Sequence, residues 1–187
     1  MKGVIHMTTL QANEQDLREQ IALELERNPG QFTGGLARRY GVTEAEVLRA
    51  HPEALCTELD PERIEALIHS LEKLETVMVL CSNEGAILEA NGKFGGFSST
   101  MGFINVLTDT LDMHITAANI KAAFALIKKP HVGGEVSHSI QFFSERGTVC
   151  FKVFVLDYLD SKVGEDHTAK VATWKALRDE FRLDRQA

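Results

Sequence analysis

The sequence predicts an α+β fold: helices at the N-terminus, an antiparallel β-sheet core built from hairpins, and a helix at the C-terminus. Three observations carry this prediction. Up to about Leu74 the apolar residues recur at helical spacing, and from Thr76 runs of β-branched and aromatic residues alternate with Gly- and Asn-containing turns. From about Ser161 a helical stripe returns. Strands grouped between terminal helices give an α+β arrangement rather than a βαβ one. At 187 residues, 44% apolar and 25% charged, the chain is long enough to bury a real core.

Taken in order, residues 1–12 read as a disordered tail. Asn13, with Asp16 three residues later, reads as an N-cap for a helix carrying Leu17, Ile21 and Leu25, and Pro29-Gly30 ends it. Within FTGGLARRYGVTEAEVLRAHP, Leu36, Ala37 and Tyr40 make a short helix stopped by Gly41. Thr43 with Glu46 is a capping box for a second helix, which ends before Pro52. Asp60-Pro61 opens a third, with Ile64, Leu67, Ile68, Leu71 and Leu74 as its stripe. These helices form a segment over residues 13–75, and residues 76–187 form the sheet domain with its C-terminal helix.

In the sheet domain, TVMVLCS and AILEA flank the turn Asn83-Glu84-Gly85 as a hairpin. GKFGG, with three glycines, is expected to be irregular; FINVL and DMHIT are strands joined through TDT. IKAAFALIKK is ambiguous, since its alanines favour helix while Pro130 and the flanking strands suit an extended edge. HSIQFFSERGTVCFKVFVL reads as a long hairpin turning at Glu145-Arg146-Gly147. Its apolar content is too large to leave exposed and predicts an interface. Val171, Trp174, Leu177 and Phe181 then share one helical stripe.

Composition excludes several classes of function. A net charge of −7 argues against a general nucleic-acid binder. LARRYGVTEAEVLRAHP has the outline of a helix-turn-helix, and Arg38 and Arg39 could meet phosphates. But Glu44 and Glu46 open its second helix, where base contacts are made, so packing is the expected role. No apolar run reaches the roughly 18 residues of a membrane helix, and no signal-peptide pattern is present, so a cytoplasmic protein is expected. Cys56, Cys81 and Cys150 are widely spaced and show no metal or disulfide framework, and Cys81 and Cys150 read as core residues. The glycines of GKFGGF lack the dinucleotide-binding context, and Lys128, Lys129 and His131 read as a solvated turn.

His114 stands apart from the other histidines. In a strand, side chains alternate, so His114 shares a face with Asp112 and Thr116 while Met113 and Ile115 face the other way. An imidazole on a polar face is free for function. Its neutral form can bind iron through one nitrogen while the other donates a hydrogen bond.

The segments AILEANG, GGFSSTMGFINV, LDMHITAANI and SIQFFSERGTVCFKVFV together resemble the haem-utilisation cytosolic carrier family (HutX/ChuX type). The match covers roughly Thr76 to Leu156, with a weaker one in GVTEAEVLRAHPEAL. The resemblance implies a haem-utilisation-protein-like sheet that binds haem (iron protoporphyrin IX), pairs into a homodimer and passes haem to an accepting protein without acting as an enzyme. It implies that His114 is an axial ligand, with Met101, Phe103, Phe142 and Lys152 as pocket candidates, the lysine for a propionate. The sequence departs from the family pattern at Ser82, which stands where a second histidine is expected, and at Val155-Leu156-Asp157, which replaces Gly-Arg-Asp. Two alternatives stand beside the carrier: a haem-responsive regulator using the N-terminal helices, and a haem-degrading enzyme.

Overall fold

Helix α1 (Lys2–Arg27), α2 (Thr33–Tyr40) and α3 (Glu44–Arg49) come first in the computed structural model. The structure describes residues 2–129, 136–155 and 165–184, with side chains from residue 14 onward and, in the last helix, from residue 167. The expected tail over residues 1–12 and the cap at Asn13 are corrected: the helix begins at Lys2. No glycine or proline interrupts residues 4–12, so nothing there stops it. Ile21 and Leu25 of α1 pack with Leu36, Ala37, Val47 and Ala50 as a helical core. The capping box of α3 is present: the Thr43 backbone N–H donates to Glu46 Oε2 at 2.7 Å, and Glu46 N–H donates to Thr43 Oγ1 at 3.2 Å.

Two further α-helices and nine strands follow among the described residues. They are β1 (Cys56–Leu59), α4 (Ile64–Ser70), β2 (Thr76–Ser82), β3 (Ile87–Lys93), β4 (Phe97–Thr100) and β5 (Phe103–Leu107), then β6 (Asp112–Ile115), β7 (Ile120–Lys128), β8 (Ser137–Ser144), β9 (Val149–Val155) and α5 (Glu165–Glu180). Six strands form one antiparallel sheet in the order β1-β7-β8-β9-β2-β3, and β4-β5-β6 form a second. The principal core lies where these sheets meet α4 and α5. It holds Val77, Val79, Ile140, Phe142, Phe151 and Val153 from the large sheet, and Ile104, Val106 and Ile115 from the small one. Leu67 and Ile68 enter from α4, and Trp174 and Leu177 from α5. On its other face the large sheet meets α3, through Ala122, Phe124, Leu126 and Phe143 against Ala45 and Leu48.

This layering explains four departures from the sequence reading. The segment IKAAFALIKK is strand β7, with Ala122 through Leu126 all buried. Both faces of β7 are covered, so no alternation marks it as a strand. Strand β1 lies inside the segment read as helical, because its four residues are ordered by pairing with β7 and are too short to show a period. The β8–β9 hairpin is no exposed interface: it sits at the centre of the large sheet, and the chain itself covers both its faces. GKFGG is only partly irregular, since Gly92 and Lys93 complete β3.

The glycines of that segment serve packing. A Cβ at Gly92 would lie 2.9 Å from Thr110 Oγ1, and one at Gly96 would lie 2.2 Å from the Leu107 carbonyl oxygen. Gly96 also has φ +62°. These positions let the β5–β6 turn dock on the end of β3, where Lys93 N–H donates to Thr110 Oγ1 at 3.2 Å.

The helix-turn-helix outline resolves as packing. Ala45, Val47 and Leu48 of α3 are buried, and Glu44 and Glu46 are engaged within the fold. Among the described residues, no helix is long and apolar enough to cross a membrane. Pro130, His131, Leu156, Asp157 and the expected helix start at Ser161 lie outside the described residues.

Candidate functional site

The outward face of the small sheet carries the candidate site. Strand β6 turns Ile115 into the core and partly buries Met113, which leaves Asp112 and His114 on the solvent side as alternation requires. The His114 side chain is 59% exposed. Across the sheet, His114 sits opposite Asn105 of β5, and Asn105 sits opposite Ser98 of β4. His114 Nδ1 lies 2.7 Å from Asn105 Oδ1, and Asn105 Nδ2 donates to Ser98 Oγ at 3.2 Å. Asp112 Oδ1 is 3.7 Å from His114 Nε2.

Phe103 and Leu107 share the outward face of β5 with Asn105 and are both exposed. The Phe103 ring meets the His114 ring edge to face, with centroids 6.1 Å apart. Met101 occupies the tight β4–β5 turn at φ 52°, followed by Gly102 at φ 82°, and is among the most exposed apolar side chains described. The result is one imidazole on an open surface flanked by apolar groups.

The other residues expected to line this site lie elsewhere. Phe142 is buried in the principal core and stacks on Phe151 at 4.4 Å. Lys152 faces the N-terminal helices and is buried, with Nζ 2.6 Å from Glu44 Oε1. Thr33 Oγ1 donates to the same carboxylate oxygen at 2.6 Å. Ser82 ends β2 on the face opposite to Cys81, which packs on the principal core. His114 also points away from that core, but from the other sheet. The expected set thus divides: His114, Phe103 and the nearby Met101 turn on one face, Phe142 and Lys152 turned away from it, and Ser82 at the end of a strand of the other sheet.

Sequence reasoning missed Asn105 and Ser98. A signal for Asn105 was present: four residues, Thr108 to Leu111, separate Leu107 from Asp112, and counting back from that turn puts Asn105 opposite His114. Asparagine is also an unfavourable strand residue and so marks the position.

The family model for the haemin-degrading HemS/ChuX domain matches residues 41–181. The chain belongs to this family. The HemS/ChuX match spans both sheets and α5, so it includes the whole His114 face. Among its relatives, the intracellular haem transport protein HutX of Vibrio cholerae is 28% identical over 153 residues, 81% of this chain and 78% of HutX. The solved structure of the haem-binding protein ChuX superposes with a TM-score of 0.73 at 21% identity, covering 86% of this chain and 97% of ChuX. The haem-degrading enzyme ChuS of Escherichia coli O157:H7 also gives 0.73, at 24% identity, over 90% of this chain and 47% of ChuS. These two likenesses establish the HemS/ChuX fold.

Proposed function

We propose that this protein binds haem inside the cell and carries it to an accepting protein, holding the iron through His114. The observation that carries this reading is the exposed imidazole of His114, held at Nδ1 and flanked by Phe103 and Leu107. One imidazole suffices for such a ligand, because the porphyrin supplies four nitrogens to the iron and asks the protein for an axial bond and apolar cover. HutX, a relative over most of both chains, is named for intracellular haem transport. Carriage rather than degradation is the reading for this chain.

An absorption titration with haemin tests it. The wild type is expected to bind about one haem per chain. His114→Ala is expected to shift the Soret band and weaken binding, and an unchanged curve and spectrum would remove His114 from the site. Because Ser82 stands where a second histidine ligand is expected and a serine hydroxyl is a poor iron ligand, ferric haem is expected mainly high-spin. Bound haem is also expected to survive a reductant with oxygen, and its conversion to a ring-opened product would make the protein a haem-degrading enzyme.

The same reading includes a homodimer. Strand β3 is an edge of the large sheet, and it leaves Ile87 and Leu88 63% and 61% exposed on neighbouring positions. An edge strand with free backbone groups and exposed aliphatic side chains favours pairing with a second chain. Equilibrium sedimentation is expected to give twice the 20.7 kDa chain mass. A monomer at micromolar concentration would end the dimer proposal.

A further inference from the structure

Asn105 lies in the central strand of the small sheet yet is only 7% exposed. A buried amide is costly unless both its ends are hydrogen-bonded. Here both are: Nδ2 donates to Ser98 on one neighbouring strand, and Oδ1 meets His114 Nδ1 on the other. The three side chains form one cross-strand row.

We propose that Asn105 is a positioning residue that sets the tautomer of His114 and so presents its Nε2, unprotonated, to the iron of haem. The inference rests on the reading of His114 as the iron ligand. Its chemistry is direct. With the amide N–H₂ turned to Ser98 and the amide oxygen, which only accepts hydrogen bonds, turned to the imidazole, Nδ1 carries the ring proton. A neutral imidazole has one N–H, and Nε2 therefore keeps its lone pair; Asp112 Oδ1, at 3.7 Å from Nε2, is beyond hydrogen-bond reach and does not hold a proton there. The short contact at 2.7 Å also restrains rotation of the ring.

The choice of an amide has a consequence for the cargo. A hydrogen-bond acceptor on the far nitrogen raises the donor strength of a metal-bound imidazole. A carboxylate raises it more than a neutral amide, because its bond is charge-assisted. Asn105 thus orients His114 while keeping the iron bond weaker than an aspartate would make it. That suits a ligand which must later be released.

Isotope-labelled histidine in the haem-free protein, observed by NMR above the titration range of imidazole, reads the tautomer. The His114 signal is assigned by its loss in His114→Ala. The wild type is expected in the Nδ1–H form. Asn105→Leu is expected to lose that preference, and Asn105→Asp to retain it. In haemin titrations, Asn105→Leu is expected to weaken binding roughly 10- to 100-fold. Asn105→Asp is expected to bind at least as tightly as the wild type and to lower the ferric/ferrous potential.

A wild-type His114 in the Nε2–H form, or the same tautomer in the wild type and Asn105→Leu, overturns the proposal. If Asn105→Leu does not fold, the wild-type tautomer and the potential of Asn105→Asp decide, and an unchanged potential counts against it. If the tautomer follows Asn105 but His114→Ala binds haemin like the wild type, the positioning of the ring stands and the iron-ligand reading fails.

Discussion

The buried Lys152–Glu44 pair shows how one residue can join two layers. Glu44 opens α3, Lys152 lies in the centre of the large sheet, and their contact at 2.6 Å ties the N-terminal helices to the sheet. Taking both charges out of water is costly, and the pair is tolerated because each charge answers the other and Thr33 adds a hydrogen bond. Removing Lys152 leaves the largely buried Glu44 carboxylate with only the Thr33 hydrogen bond and the charge of Lys128 to answer it. Lys152→Ala is therefore expected to cost about 3 kcal/mol of unfolding free energy. Lys152→Ala combined with Glu44→Gln is expected to recover part of that loss. Urea unfolding of the wild type and both variants measures it, and additive losses would show that the two side chains do not interact.

At the scale of elements, α3 shows how a local signal supports a distant contact. Its capping box fixes where the helix begins, and that start places Glu44 over Lys152. Thr43→Ala removes the side-chain acceptor for Glu46 N–H and is expected to cost about 1 kcal/mol. The docking of the β5–β6 turn on β3 is a second case. Gly96 combines a positive φ with the close Leu107 carbonyl, so Gly96→Ala is expected to cost more than about 1 kcal/mol, since no relaxed side chain fits there. Both changes are read as lower urea midpoints at unchanged m. A midpoint for Gly96→Ala equal to the wild type would mean that the turn does not bear on β3 as described.

For the molecule as a whole, two half-buried histidines contribute to the response to acid. Burial pushes the His51 pKa down to about 4, with a smaller contribution from Lys128. His138 is lowered in the same direction, first by burial and then by the charges of His167, Lys175 and Arg178. A histidine with a depressed pKa is neutral in the fold, while the unfolded chain takes up its proton below about 6.5. The stability that this provides is complete above about pH 6.5 and falls as the pH drops toward about 4. For His51 alone the loss amounts to roughly 3 kcal/mol at the acid end. Unfolding free energies measured between neutral pH and pH about 4 are expected to fall less steeply in His51→Gln than in the wild type. Parallel curves would show that His51 is protonated in the folded protein.

The sequence by itself determined the features that local chemistry controls. The Thr43 capping box, the buried stripe of α4, the Asn83 turn and the outward face of His114 each follow from a few neighbouring residues, and each is present as read. Periodicity reports whether one face of an element is wet, and it is silent where both faces are covered. That is why β7, buried on both sides, became recognisable as a strand only between β1 and β8. Tertiary structure also decided which distant side chains meet. Phe142 and Lys152 come from strands apolar enough to cover a porphyrin. Only the stacking order of the sheets sent one into the core and the other toward α3. Asn105 reaches His114 for a related reason: the contact depends on cross-strand register, a relation between two segments that neither segment carries alone.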